Sequence, residues 1–327
     1  MRHVGKARPL GDLMDPEGGI RQQFFRQGDP HAPQQVEKAL PRFLVQKFGQ
    51  MPLAYIHMVR HLAQGEVLFR AVILHISQRS LDQVIARAKE AGAQKVLLPP
   101  TDEASTLKAL ELSRRYPDFC HPMIGLHPED IGSNYPQALQ QLEQMLAADR
   151  QSGNPQFVAV GEVGLDYYWD KSHKEEQKAA FCTQIEWAAT YQLPLMIHSR
   201  NVGNDLLECL TPWRDRLSRG GVFHCFSGSV ETAREMLRFH PNFYIGIGGV
   251  LTFKKSNLPE TVKEIPLERI VLETDSPYMA PTPMRGKRNE PSFIPYIINR
   301  LAEAKGITPR QVSEITTANA MRLFFGK

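Results

Sequence analysis

Four residues that can bind metal ions or move protons each stand at the end of an apolar run. Glu162 lies in AVGEVGLD, His198 in LMIHSR, His224 in VFHCFSG and Asp275 in VLETDSP. Two imidazoles and two carboxylates form a ligand set that suits Zn²⁺, Mn²⁺ or Mg²⁺. Burying two carboxylates side by side is costly unless cations compensate their charge. The residue types therefore predict a site for one or two divalent metal ions, if the fold brings them together.

The apolar runs that carry these residues recur along the chain like the strands of a parallel sheet. From about residue 81 onward they alternate with helical patterns, and they are continuous, as expected when both faces of a strand are buried. Seven candidate strands cover residues 95–100, 121–128, 157–166, 193–200, 220–228, 243–250 and 270–278. A spacing of about 30 residues per unit predicts an α/β fold, the (β/α)8 TIM barrel. The alternative is a doubly wound open sheet, but no GxGxxG sequence follows a strand to support it.

The barrel prediction explains how distant residues meet. The steps from Glu162 to His198, His224 and Asp275 are 36, 26 and 51 residues, which correspond to one, one and two repeats. Because the carboxyl ends of all barrel strands converge on one mouth, we expect the four side chains in one cleft.

Three further residues are predicted to support this cleft. His127, in GLHPED, ends the strand before Glu162 and faces the same mouth as a ligand, a substrate donor or a structural residue. Glu273 is two residues before Asp275, so on an extended strand it shares that face one layer deeper. Asp166 is expected to fix the following loop or a ligand histidine.

A basic loop follows the last strand. The segment APTPMRGKRNEP carries Arg285, Lys287 and Arg288. Barrels often bind phosphate near their last loops, and the guanidinium fork of arginine matches phosphate geometry. We therefore interpret the loop as a phosphate-binding element, with a merely solvated basic loop as the alternative.

The composition is that of a globular protein with a large core. Of its 327 residues, 42% are hydrophobic and 23% charged, and the net charge is only +4. This balance fits a phosphate-bearing substrate without requiring one.

Four cysteines without CxxC spacing predict buried thiols in a reducing compartment. No secretory signal is recognisable, and no run approaches the roughly 18 apolar residues of a membrane span. We expect a cytoplasmic protein that has no membrane partner.

Four segments resemble the signature motifs of the TatD family, metal-dependent deoxyribonucleases of the amidohydrolase-like barrel superfamily. They are GEVGLDYYWD, IHSR, FHCFSGS and ETDSPYMAPTPMRGKRNEP, and they occur in the family's order between about residues 80 and 327. The resemblance implies a hydrolase that cuts phosphodiester bonds, typically a 3′ exonuclease, with DNA as its partner, either single-stranded or at 3′ ends. It also implies roles for particular residues: Glu162 as bridging carboxylate, His198 and His224 as ligands of one metal, Asp275 as ligand of the other and general base, and His127 and Arg285 on the substrate side.

The start of the chain departs from the family pattern. The family's first strand ends in Asp-x-His-x-His, whose histidines hold one metal, and no His-x-His occurs here. His57 and His61 are four residues apart, and His75, in VILHISQ, is a possible first-strand ligand. We predict an irregular, poorly ordered extension over residues 1–50 and a barrel hydrolase domain over 51–327. Sequence similarity to the family begins abruptly near Ser80, which suggests a replaced, divergent or misread N-terminus.

The missing pair of histidines keeps other functions open. The nuclease is expected to be weak or inactive, because the metal held by Asp275 loses its usual partners. One alternative is an amidohydrolase-type enzyme that cleaves C–N or ester bonds, although such barrels often bridge their metals with a carboxylated lysine where Glu162 stands here. The other is a non-catalytic protein that binds metal or nucleic acid.

Overall fold

The computed structural model describes residues 78–168 and 171–326, in which helices alternate with parallel strands. The strands are β1 Val96–Leu98, β2 Cys120–Pro122, β3 Val160–Asp166, β4 Leu195–Arg200, β5 Gly221–Phe223, β6 Phe243–Ile247 and β7 Ile270–Leu272. The helices are α1 Gln78–Glu90, α2 Glu103–Arg115, α3 Tyr135–Gln151, α4 Lys174–Tyr191, α5 Asp205–Leu210, α6 Val230–Phe239, α7 Leu258–Glu264, α8 Ile294–Lys305 and α9 Pro309–Phe325. Each of the seven predicted strand segments overlaps an observed strand.

The strands pair in the order of the sequence. β1 pairs with β2, and β3 to β7 form a sheet in which each strand pairs with the next, all of them parallel. A parallel bridge between Ile124 and Val160 links the segment after β2 to β3. Sequential order is that of a barrel, whereas a doubly wound sheet reverses its order part-way. The (β/α)8 prediction is therefore confirmed.

The predictions for the first part of the chain lie outside the described residues. They concern the irregular extension over 1–50, the first barrel strand and its histidine His75. Within the described residues, no helix is long and apolar enough to cross a membrane.

The two ends of the barrel differ in character. At the amino-terminal end, each of six successive strand segments contributes one apolar residue to a common cluster, which Leu323 and Phe324 of α9 close from below. The six residues are Met123, Ala159, Met196, Val222, Tyr244 and Val271. Helix α9 begins with Thr308 as its N-cap and Pro309 at its first position. This apolar plug leaves the carboxyl ends of the strands as the place where polar side chains can enter the barrel.

All seven strands are shorter than the predicted segments, and for β5 and β7 the difference matters at the mouth. β5 ends at Phe223 and β7 at Leu272, because the backbone leaves the sheet soon afterwards. Cys225 and Asp275, one in each following loop, have a φ of 50°, in the left-handed region that side chains other than glycine rarely adopt. His224 and Asp275 therefore lie on loops at the mouth of the barrel.

A close approach between β3 and β4 requires glycine. Gly164 has a φ of 140°, and a Cβ atom there would lie 2.1 Å from the backbone oxygen of His198. Gly164 is also the register partner of His198. The glycine in GEVGLD thus lets β3 approach the backbone of the residue whose side chain contacts Glu162.

An ion pair joins the first described helix to the loop after β7. Arg87 of α1 donates from Nε and Nη2 to the two carboxylate oxygens of Glu290, at 2.7 and 2.5 Å. The side chain of Glu290 is only 13% exposed, whereas that of Arg87 is 46% exposed. A bidentate pair with one shielded partner stabilises more than an ordinary surface pair.

We expect Arg87→Gln to lower the free energy of unfolding by about 1 kcal/mol, measured by urea denaturation at neutral pH. The bond from Arg87 holds the pKa of Glu290 below its ordinary value. The contribution is therefore fully present above the unfolded pKa of about 4.3 and is lost as the pH falls through the folded pKa. Arg234→Gln, which breaks the more exposed pair with Glu264, is the matched control and should leave stability unchanged. Equal effects of the two variants would contradict a special role for Glu290.

Candidate metal centre

One carboxylate oxygen is the hub of the cluster at the barrel mouth. Oε1 of Glu162, on β3, lies 2.9 Å from Nδ1 of His198 on β4, 3.6 Å from Nε2 of His127 and 3.7 Å from Nε2 of His224. Nε2 of His224 lies 3.6 Å from Oδ1 of Asp275 as well. The structure therefore brings together the residues predicted at four strand ends, with His127 beside them.

Each of two histidines is oriented by a carboxylate on its far side. Nε2 of His198 contacts Oδ2 of Asp166 at 2.7 Å, so that Nδ1 faces Glu162. Nδ1 of His224 contacts Oε2 of Glu273 at 2.7 Å, so that Nε2 faces Glu162 and Asp275. A carboxylate behind an imidazole is the usual support of a metal-binding histidine, because it fixes the ring and raises its basicity.

Asp166 also fixes the loop that follows β3, as its position suggested. Its Oδ1 accepts a hydrogen bond from the backbone N–H of Tyr168 at 2.9 Å. Gln177 of α4 in turn accepts from the backbone N–H of Asp166 and donates to its carbonyl. The residue that orients His198 is therefore itself held by the helix behind the strand.

The charges of the cluster depend on one another. Burial would raise the pKa of Glu162, but His224, His127 and His198 outweigh it and hold that pKa well below its ordinary value. Burial would lower the pKa of His198, but Asp166 and Glu162 raise it to about 9. The pKa of His224 is likewise raised well above its ordinary value, against the effect of burial, by Glu273, Glu162 and Asp275. The carboxylate of Glu162 is thus ionised and requires positive charge beside it.

The donor set fits a divalent cation. His127, Glu162 and His198 offer ligand atoms that lie within 4.8 Å of one another, and so do His224, Cys225 and Glu273. Two atoms that bind one ion at about 2.1 Å are roughly 3.0–3.4 Å apart, close to the separations around Glu162. Imidazole nitrogens and carboxylate oxygens suit Zn²⁺, Mn²⁺ or Mg²⁺.

His127 is better placed to donate a hydrogen bond than to bind an ion. It is buried at the N-cap of a short 3₁₀ helix, Pro128–Asp130, where its Nδ1 accepts from the backbone N–H of Glu129 at 3.2 Å. A neutral imidazole that accepts at Nδ1 carries its proton on Nε2, the atom that faces Glu162. This geometry favours the predicted substrate side over the ligand alternative.

The side chain of Arg285 contacts an aromatic ring and a backbone carbonyl. Its exposed guanidinium stacks over the ring of Phe253 at 3.9 Å and donates to the carbonyl of Ala280 at 3.3 Å. The contacts of its side chain are therefore with the loops after β6 and β7.

Two residues near Asp275 were not predicted from the sequence to belong to the site. Asn289 is 1% exposed, and its amide donates to the carbonyls of Thr274 and Tyr278 on either side of Asp275. Cys225 has its sulfur 3.9 Å from Oδ2 of Asp275, and burial followed by Asp275 raises the pKa of this thiol, so it stays protonated. The only sequence signal was that both residues stand inside the motifs that carry His224 and the basic loop.

Comparisons with known proteins find similar sequences and structures. The sequence matches the family model described as "TatD related DNase" over residues 71–325. The "Uncharacterized metal-dependent hydrolase YabD" of Bacillus subtilis (strain 168) is 42% identical over 246 residues, 75% of this chain and 92% of that protein. The "3'-5' ssDNA/RNA exonuclease TatD" of Salmonella typhimurium is 36% identical over 249 residues, 74% of this chain and 92% of that protein. The solved structure of YJJV, a TatD homologue from Escherichia coli K12, has a TM-score of 0.69 and 30% identity, with 76% of this chain and 94% of that one covered.

We expect Glu273→Gln to weaken the binding of Mn²⁺ by about 10- to 100-fold, measured by isothermal titration calorimetry. The amide keeps the shape of the side chain but removes the negative charge behind Nδ1 of His224. Glu260→Gln on α7, which removes an acid paired with Lys263 outside the cluster, is the control and should bind like the parent. Unchanged Mn²⁺ affinity in Glu273→Gln would show that the carboxylate does not support a ligand.

Proposed function

This chain belongs to the TatD family of metal-dependent hydrolases that cleave phosphodiester bonds, and we propose that it removes nucleotides from the 3′ end of single-stranded DNA. The observation that carries the proposal is the hub at Glu162, where imidazoles from three neighbouring segments meet one ionised carboxylate. The choice of DNA over RNA rests on the family resemblance, since the Salmonella relative is described as acting on both.

We assign the metal ligands residue by residue. Glu162 would bridge two divalent ions, His198 and His224 would hold one of them, and Asp275 would hold the other. These residues project from β3, β4 and the loops after β5 and β7, which is the placement that the motifs suggested. Supporting observations are the carboxylates of Asp166 and Glu273 behind the two histidines.

The chemistry divides between the ions and the side chains. A bound divalent ion supplies a Lewis acid for the phosphate and lowers the pKa of a water. Asp275, whose side chain is 30% exposed at the mouth, is positioned to take the proton of the attacking water. Nε2 of His127 is positioned to donate a hydrogen bond to a phosphate oxygen. The reaction adds water across a P–O bond, and its products are a phosphomonoester and an alcohol.

The alternatives are not favoured. A carboxylate stands at the strand end where amidohydrolases that cleave C–N bonds often carry a modified lysine, and the comparisons are with TatD-type proteins. A non-catalytic binding protein would still bind metal and nucleic acid, so only turnover separates it from the nuclease.

We expect the parent protein with Mn²⁺ or Mg²⁺ to shorten a 5′-labelled single-stranded oligonucleotide from its 3′ end, and Asp275→Asn to lose at least about 100-fold in rate. The amide retains the size of the side chain but cannot accept the proton at neutral pH. Denaturing electrophoresis against time is the measurement. Lys108→Gln, on the exposed face of α2, is the control. Binding without cleavage by the parent would refute the nuclease and favour the non-catalytic alternative.

The metal held by Asp275 provides a second test. We expect one tight Mn²⁺ site and one weaker site per chain, because no His-x-His is available to complete the second. If His75 serves as the first-strand ligand, His75→Asn will abolish the weaker site, while His57→Asn will leave it intact. Calorimetric titration counts the sites. Two tight sites with full turnover would contradict the predicted impairment.

A further inference from the structure

The basic loop after β7 forms part of a larger charged surface. The loops over residues 248–257 and 273–290 lie together at the mouth, since the backbone N–H of Thr282 donates to Oγ1 of Thr252 at 2.8 Å. The stacking of Arg285 on Phe253, at 3.9 Å, is a second link between them. A Cβ atom on Gly249 would lie 2.0 Å from the carbonyl oxygen of Met279, so the two backbones are in contact.

Every exposed ionisable side chain in these two loops is basic. Both loops are fully described, and the exposed charged residues are Lys254, Lys255, Arg285, Lys287 and Arg288. The acids of the same loops are partly buried: Glu273 and Asp275 face His224, and Glu290 pairs with Arg87. The two loops contain five basic and three acidic residues, a net charge of +2, and of these only the basic residues are exposed. Clustered like charges repel one another, and a polyanion relieves that repulsion.

A cleft with an exposed aromatic ring adjoins the basic loops. It has a volume of about 200 Å³ and is lined by Thr252, Thr282, Tyr296, Asn299, Arg300 and Glu303. Two of these residues are the pair that joins the loops, and the others belong to α8. Tyr296, in the first turn of α8, is 37% exposed and meets Phe293 edge-on at 6.2 Å. Arg300 and Glu303 pair with each other at 2.9 Å, so the acid in the cleft is compensated.

The surface starts beside the candidate metal centre. The backbone N–H of Tyr278 donates to the carbonyl of Asp275 at 2.8 Å, and the amide of Asn289, next to Arg288, donates to the carbonyl of Tyr278 at 2.6 Å, so the basic loop comes close to the ligand. The first turn of a barrel helix lies on the same side as the carboxyl ends of the strands, because each helix returns the chain to the opposite end. A single-stranded nucleic acid bound at the metal centre can therefore continue over the two loops to Tyr296.

We propose that the loops 248–257 and 273–290, together with the cleft at Tyr296, form a tract that binds the part of a single-stranded nucleic acid upstream of the scissile bond. Phosphates would lie on the five basic side chains, and a base would stack on Tyr296 in the cleft. Proteins that bind single strands without sequence preference combine these two features, a basic path and aromatic platforms. The inference rests on the proposed nuclease function for its ligand, but its test measures binding independently of turnover.

The test compares two double variants: one removes two positive charges from the tract, and the other removes two positive charges from a surface outside it. In the Asp275→Asn background with Mg²⁺, fluorescence anisotropy gives the Kd for a labelled strand of about 15 nucleotides at several salt concentrations. We expect Lys254→Gln with Lys255→Gln to weaken binding about tenfold at low salt and to reduce the slope of log Kd against log salt by about 1.4. Lys108→Gln with Arg114→Gln, which removes two exposed charges from α2, should change neither quantity.

The aromatic platform has its own pair of variants. Tyr296→Ala should weaken binding about tenfold with little change in the salt slope, whereas Tyr296→Phe, which keeps the ring, should bind like the parent. In the active protein, the ratio of kcat/KM for the long strand to that for a dinucleotide should fall with Lys254→Gln and Lys255→Gln.

Equal effects of the tract pair and the α2 pair on affinity and salt slope would overturn the proposal, and so would unchanged binding by Tyr296→Ala. If the protein cleaves neither substrate but its affinity follows the tract variants, the tract stands and the nuclease function fails.

Discussion

The interaction on which this structure depends is the contact of one buried carboxylate with three imidazoles. Glu162 is surrounded by His198, His127 and His224, at 2.9 to 3.7 Å from its Oε1 atom. An ionised carboxylate at such a site is stable only when positive charge is held beside it. The carboxylates of Asp166 and Glu273 meet that requirement, because each fixes an imidazole that faces Glu162. The left-handed turn at Asp275 is held separately by Asn289, which binds the backbone on both sides of it. The apolar plug at the other end of the barrel carries no such constraint.

Much of this arrangement could be predicted from the sequence, for physical reasons. Buried parallel strands are apolar on both faces, so they are visible as continuous runs, and a polar residue at the end of such a run is conspicuous. That reasoning located β3 to β7 and the four residues at their ends. Glu273 was expected one layer below Asp275 from the alternation of side chains along an extended strand, but β7 ends at Leu272 and Asp275 lies in a left-handed turn. The contact of Glu273 with Nδ1 of His224 depends on how two strands are placed side by side, which a single run does not reveal.

The features that escaped prediction depend on loops. The basic segment predicted that Arg285 is on the substrate side, which stays a prediction, but its stacking on Phe253 could not be foreseen, because it depends on the loop after β6 lying against the loop after β7. Asn289 looked like one polar residue among several, although it is buried and its amide holds the turn of Asp275. Contacts between segments that are far apart in sequence have no local pattern, and loops follow no period from which they could be inferred.

The charge balance also explains why the start of the chain matters for the chemistry. Among the described residues, the histidine that contacts Asp275 is His224, whose Nε2 is shared with Glu162 at nearly equal distance. One imidazole compensates two carboxylates less fully than two separate imidazoles would. Glu162 also contacts His198 and His127, so the carboxylate of Asp275 has fewer positive partners than that of Glu162. An ion placed at Asp275 must therefore take further ligands from water, from the substrate or from the first strand. The proposed ligands Glu162, His198 and His224 all come from β3, β4 and the loop after β5, so none of these three depends on the first strand.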